Sequence, residues 1–350
     1  MSAARPGAKS WRNGLGALLL LTAAAPSVPR ACADDVSQFY AGKTVSVIVS
    51  VEVGGLYSTF ATILARHLPP YIPGRPNVIV QHMPGAGGSI AVNWGYNVAP
   101  KDGTVIISPN TGLALRVPLG LDKPTYDATK LHWLGGWNEG INTVTLRRDL
   151  APASTVEAAR EREVILGAIG KSSNTYTVPA LMNNMLGTRF KLITGYRGGT
   201  PIRLAMEKGE VHGWAGQYDG WKLIDHPWVR DGNLVHLVQL ASKPSPELKG
   251  VPLLSSLARD EEERAILKAI ESGIADRALA MAPGVPEARV QALAKAYRDA
   301  MRDPHFLKDA AVAKFEIDPI PGEAIEAYVK FVAALPKTTI GKMKQAMEIE

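Results

Sequence analysis

The chain has 350 residues, 39 lysines and arginines against 33 aspartates and glutamates, a formal net charge of +6 and a single cysteine. One cysteine excludes a disulfide framework, and the dispersed basic residues form no cluster that would indicate nucleic-acid binding. A chain of this length usually forms two domains.

The N-terminal 33 residues have the organisation of a secretion signal. Arg5, Lys9 and Arg12 form a basic segment, and residues 15–25 form an apolar run that is too short to span a bilayer. The small residues on either side of position 32 match the small-x-small cleavage pattern. We therefore expect a signal peptide over residues 1–33, cleaved after Ala33.

A lipoprotein anchor on Cys32 is the alternative, although Pro29 and Arg30 fit that pattern poorly. Cleavage after Ala33 would leave 317 residues (350 − 33) without a cysteine. It would also remove four basic residues and no acidic one, so the net charge would fall from +6 to +2. Thiolate and disulfide chemistry are then excluded from the mature chain.

A strand followed by a glycine turn and a helix opens the mature chain. Alternating valines in 45–51 predict a buried strand, Gly54-Gly55 predict a turn, and apolar residues at helical spacing in 56–68 predict a helix. Backbone N–H groups at such a turn and at the helix start converge on one point, where an anion is favoured.

The same pattern follows a second time. Residues 78–80 predict a strand, 84–88 (PGAGG) a glycine turn, and Ile90, Trp94 and Val98 one face of the next helix, before a third strand over 104–108. Strands alternating with helices predict βαβ units on a parallel sheet. Two such turns side by side predict a pocket for a carboxylate or a phosphate.

A second lobe is predicted to begin near Asn142. Strands over 164–169 and 190–194 each run into a polar or glycine turn, at 170–174 and 196–199, and a last strand covers 235–241. The second lobe thus repeats the arrangement of the first, and its turns are further candidates for ligand contact.

Enzymatic and cofactor-binding patterns are weak. The turn after the second strand lacks the third glycine of a dinucleotide fingerprint, and there is no P-loop, HExxH or GxSxG motif. The seven histidines have no metal-ligand spacing. Glu52, beside the first glycine turn, is interpreted as a structural or specificity carboxylate rather than a general base. We expect no catalytic residue, no metal and no cofactor.

Short motifs spread over the mature chain together resemble a known receptor family. The chain is similar to the extracytoplasmic solute-binding receptors of tripartite tricarboxylate transporters, the Bug or TctC receptors. The matching segments are 39–43 (FYAGK), 54–55, 84–88, 100–104 (PKDGT), 196–199 (YRGG), 209–211, 282–286 (APGVP) and 303–306 (DPHF).

The resemblance implies an α/β fold of two lobes, the type II-like periplasmic-binding-protein fold, each lobe a mixed, mostly parallel sheet flanked by helices. It implies a first lobe of residues 34–140 plus 276–350 and a second lobe of residues 141–275. The lobes would be joined near 137–143 and 272–279 and would close on a ligand.

By the same resemblance, the protein captures a small organic acid, either a di- or tricarboxylate or an aromatic carboxylate. It would act in the periplasm as a monomer and deliver the acid to the membrane permease subunits of a tripartite tricarboxylate transporter. Two alternatives stay open: a sensor subunit that signals ligand occupancy to a partner, and an enzyme acting on a carboxylated metabolite.

The predicted ligand-binding residues come from turns of both lobes. Those of the first lobe are Gly54, Gly55, Leu56, Tyr57, Ser58, Pro84, Gly85, Ala86, Gly87, Gly88, Asn110 and Thr111. Those of the second lobe are Ser172, Ser173, Asn174, Tyr196, Arg197, Gly198, Gln217 and Asp219.

Two residues depart from the family pattern in the first turn. Many members have an aspartate where this chain has Ser58, and small residues where it has Glu52. Ser58 removes an acceptor charge, whereas Glu52 adds a charge that would repel a carboxylate if it faced the cleft. Family resemblance therefore does not identify the ligand.

Overall fold

The computed structural model describes residues 30–54, 56–109, 112–121, 123, 125–171, 173–196, 198–222, 226–271 and 275–349. Residues 1–29 of the predicted signal peptide lie outside this part of the chain. Within it, no helix is both long enough and apolar enough to cross a membrane.

Fourteen α-helices and eleven strands lie in these described ranges. The strands are β1 (Thr44–Val49), β2 (Asn77–His82), β3 (Val105–Ser108), β4 (His132–Gly136), β5 (Asn142–Arg147), β6 (Val164–Gly167), β7 (Phe190–Ile193), β8 (Gly213–Gln217), β9 (Leu234–Leu240), β10 (Ala278–Met281) and β11 (Ile320–Pro321). The helices are α1 (Arg30–Tyr40), α2 (Leu56–His67), α3 (Ser89–Asn97), α4 (Leu113–Arg116), α5 (Val156–Glu161), α6 (Asn174–Leu186), α7 (Gly199–Glu207), α8 (Asp219–Lys222), α9 (Pro227–Arg230), α10 (Glu261–Glu271), α11 (Glu287–Ala300), α12 (Pro304–Val312), α13 (Gly322–Ala333) and α14 (Lys337–Ala346).

The strands form two separate sheets. The first has six strands in the order β11-β4-β10-β3-β1-β2, and the second has five in the order β7-β6-β8-β5-β9. β1 pairs in parallel with β2 and β3, and β6 with β7 and β8, whereas the other strand pairs are antiparallel. Two mixed sheets with flanking helices confirm the predicted two-lobed α/β fold, although parallel pairing does not predominate in either sheet.

The chain passes between the sheets twice. The first crossing, residues 137–141, leads from β4 to β5, and the second crossing, of which residues 275–277 are described, leads from α10 to β10. α14, which the sequence-based division assigns to the first lobe, packs against α6 and α10. The lobe boundaries themselves remain a prediction.

An aromatic core holds the first crossing to the first sheet. Trp137 is fully buried and stacks on Phe60 of α2, with ring centroids 3.9 Å apart. Tyr57 and Phe306 make edge-on contacts with these two rings. Buried aromatic pairs of this kind add to the free energy gained by area burial, so the first crossing is anchored where it leaves β4.

The predicted apolar face of α3 is wrong. Ile90 and Val98 are 48% and 69% exposed, whereas Ala91 and Val92 are buried. The reason is the close approach of α3 to β3: a Cβ at Gly95 would lie 2.4 Å from the Cδ1 of Ile107. Small residues therefore form the buried face, and the larger apolar ones point outward.

Candidate functional site

The first glycine turn lies between β1 and α2. Gly54 is exposed, with φ of +93°, a conformation that glycine adopts without strain. Gly55 lies outside the described residues, and Leu56, partly buried, begins α2. Ser58 is buried, and its hydroxyl hydrogen-bonds the Nε2 of His82 at 2.9 Å. The first turn of α2 is therefore tied to the end of β2.

Tyr57 is also buried and does not project freely into solvent. Its hydroxyl donates to the backbone oxygen of Asp276 at 2.8 Å. This contact joins α2 of the first lobe to the second crossing. Glu52, just before the turn, has an exposed side chain.

The second glycine turn, between β2 and α3, has a strained backbone. Gly85, Ala86 and Gly88 have φ of +122°, +45° and +97°. Residues 86–88 form a single 3₁₀ turn that leads directly into α3, and Pro84, Gly85 and Ala86 are exposed. Left-handed values at three of four consecutive residues bend the chain so that it enters α3 from an exposed turn.

A cation that the sequence analysis missed lies against this second turn. The guanidinium of Arg116, in α4, donates from Nη2 to the backbone oxygen of Ala86 and from Nε to the hydroxyl of Ser89, both at 3.2 Å. Arg116 adds a full positive charge beside the partial positive charge of the α3 N-terminus. No local motif marks Arg116, because it approaches the turn from a helix that follows β3.

The two first-lobe turns lie at one edge of the first sheet. β1 and β2 are parallel neighbours, and the N–H of Met83 donates to the oxygen of Val49 at 2.9 Å. The carboxyl ends of both strands, and the helix N-termini that follow them, therefore lie side by side. The sequence-based expectation of adjacent turns agrees with this register, while direct ligand contact by their residues remains a prediction.

The residue that follows the third predicted first-lobe segment contacts the second crossing. Asn110 and Thr111 are outside the described residues. The N–H of Gly112, directly after them, donates to the Oδ1 of Asp276 at 2.8 Å. Burial raises the pKa of Asp276 to about 6, while the Gly112 N–H and the nearby Arg277 guanidinium oppose this rise.

The second-lobe candidates lie in different surroundings. Ser172 and Arg197 lie outside the described residues. The Ser173 hydroxyl donates to the oxygen of Gly170 at 3.0 Å, just before α6, and the Tyr196 ring packs on an apolar cluster of the second lobe. Gly198, with φ of +150°, precedes α7.

Gln217 ends β8 and Asp219 begins α8, next to the first crossing. Gln217 pairs with Asn142 of the neighbouring strand β5, and the N–H of Tyr218 donates to the oxygen of Ile141 at 2.9 Å. The Oδ2 of Asp219 pairs with the Nη1 of Arg277 at 2.6 Å. Asp219 thus points toward the second crossing.

Residues of both lobes line a small cavity of about 60 Å³. Gly112 and Arg116 come from the first lobe, Asn142 and Asn174 from the second, and Asp276 from the second crossing. The cavity has room for a few waters, so it is a narrow polar space rather than a complete pocket for an organic acid. It brings Asn174 together with the segment that follows Asn110 and Thr111.

A much larger cavity, of about 660 Å³, shares Leu113 and Ala114 of α4 with the small one. It is walled mainly by apolar side chains of α4, α13, α14 and the segment between β3 and β4, among them Leu113, Val117, Val329, Val332 and Ile340. None of the predicted ligand-binding residues lines it. The helix N-termini and glycine turns indicate a binding site better than cavity size does, because they supply the polar groups that an anion needs.

In the described ranges, no group of three potential metal-ligating side chains comes together.

The comparisons with known proteins rest on structure. No protein-family model matches the sequence, and no curated protein matches it. A TctC solute-binding protein from Polaromonas superimposes with a TM-score of 0.68 and 22% identity, over 87% of this chain and 99% of its own. The periplasmic binding protein BugD gives 0.60 and 18%, over 89% and 99% of the two chains. MatC from Rhodopseudomonas palustris, with bound malate, gives 0.57 and 18%, over 87% and 99%.

These similarities define the fold. The chain has the two-lobed fold of the TctC and Bug periplasmic binding proteins, and the resemblance seen in the sequence is confirmed at that level. Two of the proteins that it resembles are described as a solute-binding protein and a periplasmic binding protein.

Proposed function

We propose that this protein is a non-enzymatic, extracytoplasmic solute-binding receptor of the Bug and TctC type. It captures a small organic acid, a di- or tricarboxylate or an aromatic carboxylate, in the cleft between its lobes. The observation that carries the proposal is the pair of adjacent first-lobe turns, each opening a helix, with the Arg116 guanidinium against the second one.

Charge and geometry both favour an anion there. Helix N-termini present unpaired N–H groups and partial positive charge, and Arg116 adds a cation. Malate bound to MatC, a protein of the same fold, supports a carboxylate ligand for this chain too. Glu52 is exposed beside the first turn and disfavours highly charged anions that would approach it.

Location and partners complete the proposal. Residues 1–33 act as a cleaved signal peptide, the lobes comprise residues 34–140 plus 276–350 and residues 141–275, and the mature receptor works as a periplasmic monomer. It delivers its ligand to the permease subunits of a tripartite tricarboxylate transporter. The periplasmic location of proteins with this fold supports export.

A thermal-shift screen tests ligand binding. The mature protein is heated with citrate, succinate, L-malate, L-aspartate, adipate or benzoate, and the leading acid is then titrated by calorimetry. A ligand at 100 times its Kd stabilises the folded state by about 2.7 kcal/mol, so we expect a rise in Tm of several degrees for at least one acid. If none of the acids raises the Tm, the carboxylate-receptor proposal is wrong.

Loss of transport tests delivery. Cells lacking this protein should take up the leading acid more slowly, and the full-length chain should restore uptake. Unchanged uptake, together with normal binding by the purified protein, would favour a sensor role over transport.

A further inference from the structure

The second crossing contains a fully buried arginine that links three parts of the chain. Arg277 is 1% exposed. Its Nη1 donates to the Oδ1 of Asn138 in the first crossing at 2.8 Å and pairs with the Oδ2 of Asp219 at the start of α8 at 2.6 Å. One nitrogen of the guanidinium is therefore held by both the first crossing and the second lobe.

The opposite edge of this guanidinium has no hydrogen-bond partner among the residues that the structure describes. Within those ranges, the Nε and Nη2 of Arg277 are both buried and make no hydrogen bond. In the same molecule, Arg147 uses its Nε and Nη2 to bind the two carboxylate oxygens of Asp149, at 2.8 and 3.0 Å. The free edge of Arg277 therefore has the geometry that receives a carboxylate in two parallel hydrogen bonds. Buried donors without acceptors cost free energy, so this edge calls for an acceptor.

Space for a ligand atom lies next to Gly140 of the first crossing. A Cβ at Gly140 would lie 3.5 Å from the Nε of Arg277 and 3.7 Å from the Oδ2 of Asp276, both ordinary contact distances. Gly140 is buried and is not among the residues with positive φ. A methyl-sized volume is thus available between a guanidinium donor and a carboxylate oxygen.

Asp276 supplies the second half of this arrangement. Its Oδ1 accepts the Gly112 N–H, whereas its Oδ2 has no hydrogen-bond partner in the part of the chain that the structure describes. Because Asp219 already pairs with Arg277, the charge of Asp276 is left for another donor. A carboxylate alone would accept hydrogen bonds from Arg277, but its charge would be repelled by the charge of Asp276. A carboxylate with a hydrogen-bond donor on the neighbouring carbon can bind both side chains.

We propose that Arg277 and Asp276 form a subsite for a carboxylate that carries a hydroxyl or an ammonium group on carbon 2. The Nε and Nη2 of Arg277 bind the carboxylate, and the Oδ2 of Asp276 accepts from the group on carbon 2. This subsite rests on the proposed carboxylate-receptor function and narrows its ligand class. The glycine turns remain free to bind the other end of a dicarboxylate.

Three acids that share one carbon skeleton test the chemistry. L-malate has a 2-hydroxyl, L-aspartate a 2-ammonium, and succinate neither. Calorimetry on the mature protein should give at least tenfold tighter binding of L-malate or L-aspartate than of succinate, and the tighter of those two identifies the donor. Equal affinities for all three acids would overturn the subsite.

The variant Gly140→Ala tests the location. Its methyl group fills the space beside Arg277 without removing a charge or a hydrogen bond. We expect it to weaken binding of the preferred acid at least tenfold, with less effect on succinate, and to leave the Tm unchanged or raised. Gly341→Ala is the matched control: Gly341 lies on α14 with nothing within 4 Å of its Cβ position, so this variant should bind normally.

A second variant addresses the donor edge itself. Arg277→Lys keeps a cation for Asp219 but lacks the Nε and Nη2 pair that binds the carboxylate, so affinity for L-malate and L-aspartate should fall at least tenfold. The outcome for Gly140→Ala can also contradict the subsite. If this variant folds and binds the preferred acid with normal affinity and normal preference over succinate, water alone occupies the space beside Gly140 and the subsite is wrong.

Failure of this inference differs from failure of the proposed function. If adipate or benzoate binds while L-malate, L-aspartate and citrate do not, the receptor proposal stands and the subsite is wrong. If no carboxylate binds, both are wrong.

Discussion

The two candidate binding regions of this protein, the first-lobe glycine turns and the two crossings, use different chemical groups. The first-lobe turns depend on the backbone: glycines with left-handed φ lead into helices whose first N–H groups have no acceptor within the helix. The crossings depend on side chains: Asn138, Asp219, Asp276 and Arg277 converge from distant positions and are largely buried. A backbone site recognises negative charge in general, whereas a buried side-chain site distinguishes ligands by the groups that they carry. The glycine turns are thus expected to supply general affinity for anions, and the crossings to select among ligands.

The largest expected effect comes from removing the arginine of the crossings. Arg277→Leu leaves Asn138 and Asp219 without their partner in a buried setting, and such a loss destabilises by about 3–5 kcal/mol. Urea unfolding of the variant and the wild type measures the difference. Arg66→Ala is the control, since its ion pair with Asp309 is exposed and should contribute under about 1 kcal/mol. A similar small loss in both variants would show that Arg277 does not hold the crossings together.

The next largest expected effect is the pH dependence that Asp276 gives to the free energy of unfolding. Its folded-state pKa of about 6 lies above the ordinary value of 3.8 because the carboxyl is buried. The folded state therefore binds the proton more tightly than the unfolded state, and this stabilisation is complete below about pH 4 and lost as the pH rises through 6. Asp276→Asn should remove the loss and raise the free energy of unfolding at pH 7 by on the order of 2 kcal/mol.

The difference between variant and wild-type stability curves isolates Asp276. His236 acts in the opposite direction, because burial lowers its pKa to about 4 and its contribution is lost as the pH falls from 6.5. Asp149→Asn is a contrasting control: its Arg147 partner lowers the pKa of Asp149 to about 2, so the pH dependence of its difference curve should be confined to pH below 4. A flat difference curve for Asp276→Asn between pH 4 and 6 would contradict the assignment.

A smaller effect is expected at the second glycine turn. Gly85→Ala places a Cβ 2.6 Å from the Cδ1 of Ile90 at φ of +122°, a strain of about 1–3 kcal/mol that the flexible Ile90 side chain partly relieves. We expect a loss near the lower end of that range and carboxylate affinity reduced several-fold, as measured by calorimetry. Gly341→Ala, on α14 with open space and no positive φ, should change neither. Unchanged binding in Gly85→Ala would assign the turn a purely structural role.

The smallest effect concerns the link between the two turns. Ser58→Ala removes the hydrogen bond to His82, which contributes about 0.5–1.5 kcal/mol. The free energy of unfolding should fall by about 1 kcal/mol. The carboxylate affinity should fall by less than it does in Gly85→Ala. Thr62→Ala is a comparison on the same helix, since the Thr62 hydroxyl bonds only its own helix backbone, at Ser58. If Ser58→Ala abolishes binding, the Ser58 hydroxyl is itself a ligand contact.

The same contrast explains what the sequence could predict. Both glycine turns and the strands before them follow from local patterns, because each pattern lies within about 20 residues. Asn138 and Arg277 are 139 residues apart, and no spacing rule connects an asparagine in one crossing with an arginine in the other. Arg116 escaped notice for the same reason. For α3, hydrophobicity indicated the wrong face, because the contact with β3 depends on Gly95, which has no side chain, rather than on a large apolar residue.

Hydrogen–deuterium exchange with and without the acid that raises the Tm most tests the central claim directly. If the acid binds at the first-lobe turns and between the crossings, amides of residues 54–58, 84–89 and 137–141 should exchange more slowly in its presence. Protection confined to residues 329–340, which line the large apolar cavity, would place the ligand there and contradict the account.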